Sequence, residues 1–106
     1  MMTNDLKPLF DRAVDLGVRF RESLPTASAR PALDYHGMRE RVAAPTPETG
    51  ADAAAVLDEL AELAGPGLMP TIGSRFFAWV MGASHPAGVA ADMLVSAWGQ
   101  NAGYQS

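Results

Sequence analysis

At 106 residues the chain has room for one small domain with a modest core. Its formal net charge of -4 argues against nucleic acid or an anionic membrane as partner. It contains no cysteine, which excludes disulfides and thiolate metal sites and fits a cytoplasmic protein. The opening MMTNDLKPLF has no basic stretch followed by a long apolar run, so it does not read as a signal peptide. No segment is long and apolar enough to span a bilayer. Residues 76–98 come closest, but Gly82, Ser84, His85, Pro86, Asp92 and Ser96 interrupt them.

A first helix is expected from about Asn4 to Leu24, capped by Thr3 or Asn4. Leu6, Phe10, Ala13, Gly17, Phe20 and Leu24 recur at spacings of three and four, with Leu9 and Leu16 beside them. Arg12, Asp15, Arg19 and Glu22 make the opposite, wet face, where Asp15 and Arg19 sit one turn apart and can pair weakly. Gly17 weakens the helix but lets a second helix come close. Pro25 stops the helix, because it has no N–H and restricts Leu24 before it.

Residues 25–49 carry Pro25, Pro31, Pro45 and Pro47 and read as a connector, with a single turn expected over 34–42. A second helix is expected from about Thr49 or Gly50 to Ala64. Val56, Leu57, Leu60 and Leu63 make its apolar face, and Asp52, Asp58, Glu59 and Glu62 its acidic one. Gly65-Pro66-Gly67 ends it. Residues 73–84, bounded by glycines and rich in aromatics, read as an extended segment or short strand. A third helix begins near Pro86, a favoured first helical position, after Ser84 or His85 as cap. Val89, Ala90, Met93, Leu94, Ala97 and Trp98 line its apolar side, and it frays from Gly99 to Gly103.

All charged residues but one, Asp92, lie before residue 76. The last third also holds Phe76, Phe77, Trp79, Trp98 and Tyr104. Such a segment calls for burial on more than one side. Two upstream helical faces are little to cover it, so the expectation is burial against something outside this chain. The plainer alternative is that the two upstream helices suffice.

The stretch RFFAWVMGASHPAGVAADMLVSAWGQNAG (75–103) resembles the group II pyridoxal-phosphate-dependent amino-acid decarboxylases, which include the aromatic-amino-acid and glutamate decarboxylases. The resemblance rests on an ordered combination: Arg75, Phe76, Phe77, Trp79, Gly82, Ser84, Pro86, Ala91, Asp92, Gln100 and Asn101. It covers about 30 residues well and the upstream helices loosely. Gly73-Ser74 stands where many members have a His-Pro pair.

The fold class this implies is mainly α: an N-terminal arm of about three helices and a short extended segment, like that of fold-type-I pyridoxal-phosphate enzymes, with the large α/β domain absent. Residues 1–72 form the arm with its proline-bearing connector. Residues 73–106 form the aromatic segment and apolar helix at the start of the decarboxylase region. The resemblance further implies a homodimer, whose arm packs over the partner subunit, and an amino-acid substrate with an aromatic or otherwise sizeable side chain. It places Phe77, Trp79 and Val80 at the substrate entrance, and Gln100 and Asn101 near a loop approaching the other subunit's site.

Pyridoxal phosphate needs a lysine to hold it as a Schiff base. The only lysine is Lys7, at the start of the first helix, where a solvated role is expected. The lysine, aspartate and histidine that serve the cofactor in the family would lie downstream, so no catalysis is expected from residues 1–106 alone. The rival reading is a non-enzymatic helical module that self-associates through residues 76–104.

Other candidates have plainer readings. His85 before Pro86 suits a capping or turn role, and His36 an exposed place in the connector. Two distant histidines without cysteine or HExxH spacing do not make a metal site. Asp58, Glu59 and Glu62 fit a solvated face. Asp92 either meets a partner in another domain or subunit, or is exposed on the back of its helix. Trp79 is either a stacking wall or packing, and Trp98 core or interface. Gly65, Gly67, Gly73 and Gly82 lack phosphate-loop spacing, and Ser74, Ser84 and Ser96 lack the partners of a nucleophile.

Overall fold

The structure, a computed structural model, describes residues 5–73, 76 and 83–100. Its regular structure consists of α1 (Leu6–Ser23), α2 (Tyr35–Val42), α3 (Ala53–Ala64) and α4 (Pro86–Trp98), with 3-10 turns at Leu24–Thr26 and Gly65–Gly67. No strand occurs among the described residues. The mainly α class read from the sequence is therefore correct, with one helix more than expected.

α1 begins at Leu6, after Asp5, which makes no side-chain cap; Thr3 and Asn4, the expected caps, lie outside the described residues. Pro8 is harmless there, because the first turn has no intrahelical acceptor for its missing N–H. Lys7 Nζ meets Asp11 Oδ2 at 2.7 Å, one turn on. The pairing expected between Asp15 and Arg19 is not formed; the ion pairs among the described residues are Lys7–Asp11 and Arg12–Asp58. Pro25 does not simply end the helix but draws it into the 3-10 turn, where Thr26 Oγ1 donates to the Ser23 carbonyl at 3.3 Å.

The connector holds more order than the sequence promised. Where a single turn was expected, α2 makes two, because Asp34 caps it: Oδ1 accepts from the Gly37 N–H at 2.8 Å. The other end is tied down by Arg41, whose Nε and Nη2 donate to the carbonyls of Leu63 and Glu62 at 3.3 and 2.9 Å. These are carbonyls of the last turn of α3, which have no acceptor role inside their own helix. Arg41 thereby joins two helices and satisfies a helix end with a cation at its negative pole. The Leu33 N–H donates to the Pro66 carbonyl at 2.9 Å, fixing the connector to the 3-10 turn that closes α3. Gly67 leaves room for Met38 beside that turn. A Cβ there would lie 2.8–2.9 Å from side-chain atoms of Met38, which fills the space beside it.

α1 packs on α3, and Arg12 Nε meets Asp58 Oδ1 across the seam at 2.7 Å. Arg12 is therefore not on the wet face assigned from spacing. The half-buried residues of α1 are Leu9, Arg12, Ala13, Leu16, Phe20 and Arg21, while Leu6, Phe10 and Gly17 of the expected stripe are exposed. On α3, Leu57 and Leu63 are half-buried together with Ala54, Ala61 and Ala64, whereas Val56 and Leu60, expected on the apolar face, are exposed. Alanines and two leucines thus make the more covered side of α3, and Val56 and Leu60 are left outside it.

After α3 the chain turns tightly. The Gly73 N–H donates to the Pro70 carbonyl at 2.9 Å, and Leu24 at the end of α1 lies beside this turn. Pro70 is the one buried residue among those described. α4 follows, capped as the sequence indicated: His85 Nδ1 accepts from the Ala87 N–H at 3.1 Å, with Pro86 at the first helical position. It ends at Gly99, whose φ of 61° is the left-handed conformation that glycine adopts without penalty.

No apolar side chain among the described residues reaches full burial. The radius of gyration is 16.7 Å, against the ~13 Å of a compact chain of this length. The accessible surface is 8967 Å², against ~5,700 Å² for a compact protein of this mass. α1, α2 and α3 make a half-closed block; α4 stands apart from it.

Candidate functional site

The separation of α4 from the block leaves an apolar cleft of 810 Å³. One wall is α1, through Ala13, Val14, Gly17, Val18 and Phe20. Facing it are Pro86, Val89, Ala90 and Met93 of α4, with Ile72 between the two walls. Past Val89 and Met93 the cleft continues into a second space of 620 Å³, bounded by Phe10 on α1 and by Asp92, Leu94, Ser96 and Ala97 on α4. The two spaces together run most of the length of α4.

The spacing of α1 explains the wall. Phe10, Val14, Gly17, Val18 and Arg21 recur at three and four, one flank round from the Leu9–Arg12–Leu16 seam. The single stripe expected from the sequence is thus two flanks: one closed on α3, one facing the cleft. Nothing within 4 Å would meet a Cβ at Gly17, so the close approach that Gly17 permits is not made by any part of this chain that the structure describes.

Arg21 spans the cleft at one end. Its Nη1 donates to the Ser84 carbonyl at 3.0 Å and its Nη2 to Ser84 Oγ at 2.6 Å. This fork holds the residue just before the His85 cap, so it fixes where α4 starts relative to α1. Sequence reading missed Arg21. The signal was its place one turn on from Gly17, a cation ending an apolar flank.

α4 has no covered side. Every residue from Ala83 to Gln100 is exposed, including Trp98 at 63%. The alternative that two upstream helices suffice to bury this segment is therefore excluded for α4, and Trp98 is not a core residue of this chain. A helix that is apolar nearly all round belongs inside a larger protein or an interface. Asp92, its one charge, is exposed at the cleft rim.

Of the substrate-entrance residues named from the sequence, Phe77, Trp79, Val80 and Asn101 lie outside the described residues, as does most of the extended segment expected over 73–84. Gln100 is exposed, and its Nε2 donates to the Trp98 carbonyl at 3.0 Å, an end-of-helix role. His36 is exposed and meets Tyr35 edge-on, with ring centroids 5.4 Å apart. Asp58, Glu59 and Glu62 are exposed, and Asp58 is engaged by Arg12. Among the described residues no group of histidine and carboxylate side chains could hold a metal ion. None of the described helices is long and apolar enough to cross a membrane.

Among the described residues the cleft offers apolar walls, the forked Arg21, the carboxylates of Glu22 and Asp92 and the hydroxyl of Ser96. The class these features define is an open helical chain with an exposed apolar face among its described residues. No family model matches the chain, and no curated protein or solved structure matches it.

Proposed function

We propose that this chain serves as the N-terminal helical arm of a cytoplasmic pyridoxal-phosphate-dependent L-amino-acid decarboxylase of group II, without catalytic activity of its own. The observation that carries the reading is α4: an apolar helix, bare on every side, in the stretch where the sequence resembles that family. In this reading α4 and the cleft are covered by the catalytic domain and by a second subunit, and the segment around Phe77, Trp79 and Val80 walls the substrate entrance.

Pyridoxal phosphate does not fit the residues present. Lys7 is the only lysine; its side chain is 83% exposed and ion-paired to Asp11 on the first turn of α1, away from the cleft. The arm's own contribution is to bind and position, and cofactor chemistry belongs to the domain it would cover.

The test is the intact mass of the native product in its source cells, followed by assay of that product. The reading expects a polypeptide several times heavier than 11.2 kDa that carries bound pyridoxal phosphate and releases carbon dioxide from an L-amino acid. A native product of 11.2 kDa without cofactor overturns it. The second reading, a non-enzymatic helical interaction module, then takes its place. One observation favours that second reading: Arg12, Arg41 and Arg21 tie the described helices together without outside help.

A further inference from the structure

The start of α4 hangs from one residue. Pro86 opens the helix and has no N–H, so the first amide in need of an acceptor is that of Ala87. It donates to His85 Nδ1 at 3.1 Å. The next two amides, of Gly88 and Val89, donate to the His85 carbonyl at 2.9 and 3.2 Å. His85 thus accepts from every amide of the first turn. The neighbouring Ser84 is engaged elsewhere, its carbonyl and hydroxyl oxygens both accepting from Arg21. Among the described residues α4 packs on no other helix, so these few bonds set where it begins.

An imidazole nitrogen that accepts a hydrogen bond carries no proton, so the cap exists only while His85 is neutral. Protonation turns Nδ1 into a donor and leaves the Ala87 N–H without its acceptor. It also sets a positive charge at the positive pole of the helix.

We propose that His85 is a pH-sensitive catch for α4, closed while the imidazole is neutral and released when it is protonated. The capped start binds fewer protons than the released one, so it is favoured as pH rises and lost as pH falls. Imidazoles as a class titrate at about pH 6.5, which places the change in mildly acid solution.

Two charged groups of α1 face this start. Arg21 grips Ser84, the residue next to His85, and its guanidinium opposes a second positive charge there. Glu22 lines the same cleft as Pro86 and favours that charge, but the ion pairs among the described residues include none between Glu22 and His85. Ile72, between the two walls, is uncharged. On α4 itself the only charge is Asp92, about two turns on.

The catch acts on the cleft, because Pro86 and Val89 of the first turn belong to its α4 wall. Its release frees that end of the wall, while α1, α2 and α3 keep the contacts that hold them together. The proposal does not depend on the decarboxylase reading, and its test involves neither cofactor nor turnover.

The test is nuclear magnetic resonance of the 106-residue chain, with helicity read from backbone carbon shifts from about pH 7.5 down to about pH 5.5, on either side of the imidazole range. The ratio of helical to frayed conformers at Ala87, Gly88 and Val89 should fall about fivefold, the effect of losing one side-chain cap. The fall should follow the titration of the His85 ring, and α3 should not change. His85→Asn supplies an acceptor that does not titrate, and it should keep the first turn helical throughout. His85→Ala should leave that turn frayed at every pH. His36→Gln, at the other histidine, should leave the response intact. A wild-type first turn that ignores pH overturns the proposal, and so does one already frayed at the upper end of the range. A response that survives His85→Asn, or that vanishes with His36→Gln, overturns it as well.

Discussion

α1 and α4 are both rich in apolar residues, yet they stand in different situations. α1 has one flank closed on α3 by Leu9, Leu16 and the Arg12–Asp58 pair, and its other flank open. α4 has no flank closed, and it has almost no polar residue to give it a wet side. An amphipathic helix states where its core lies; a helix apolar all round states only that its core surrounds it. The block of α1, α2 and α3 therefore holds its own structure with partial burial. α4 takes its place from two local devices, the His85 cap and the Arg21 fork, and presents the rest of its surface outward.

The sharpest way to break this comparison is to put a charge on each side. Leu16→Asp places a carboxylate in the half-buried seam of α1, and it should destabilise the block by about 3 kcal/mol, enough to abolish cooperative unfolding in a chain this open. Met93→Asp, on the exposed cleft wall of α4, should leave the unfolding of the block within about 0.5 kcal/mol of wild type. Urea titration followed by helical circular dichroism measures both. Equal sensitivity at the two sites would mean that α4 is part of the same cooperative core.

A smaller effect should separate α4 from the block. Arg21→Ala removes both hydrogen bonds to Ser84 and frees the start of α4. Charge-assisted bonds of this kind contribute about 1.5 kcal/mol, so hydrogen exchange at α4 amides should rise about tenfold while that of α3 is unchanged. A uniform rise across all helices would mean that Arg21 supports the whole fold rather than the placement of one helix.

How much of this was legible follows from how local each feature is. α1, α3 and α4 were readable because apolar spacing, Pro86 and the glycine stops act within a few residues. α2 was underestimated because its stability is not local: eight residues with little apolar periodicity are held by Asp34 at one end and by carbonyls of α3 at the other. The division of α1 into two flanks was also hidden. Phe10, Gly17 and Leu16 all belong to a plausible stripe on a helical wheel, and only the position of α3 decides which of them is covered. The cleft depends on an arginine and a serine 63 positions apart, which no spacing rule connects. What the sequence did carry without ambiguity was the imbalance of charge, and the bare surface of α4 is its structural counterpart.

The finest distinction concerns the seam itself, where Arg12 and Asp58 meet at 2.7 Å with side chains 35% and 50% exposed. A pair this open is screened by water and ions, and its strength should be small, about 0.5 kcal/mol. Arg12→Ala also removes the aliphatic stem of a half-buried residue on the flank that holds Leu9 and Leu16. Charge and packing can be told apart by a double-mutant cycle with Asp58→Ala at low and high salt. If the ion pair holds the helices together, the coupling between the two positions should fall toward zero as salt is raised. If Arg12 acts through its stem, Arg12→Ala should weaken the block equally at both salt levels, and Arg12→Met should restore most of the loss. The seam would then be apolar across its full width, and α1 and α4 would differ only in what covers them.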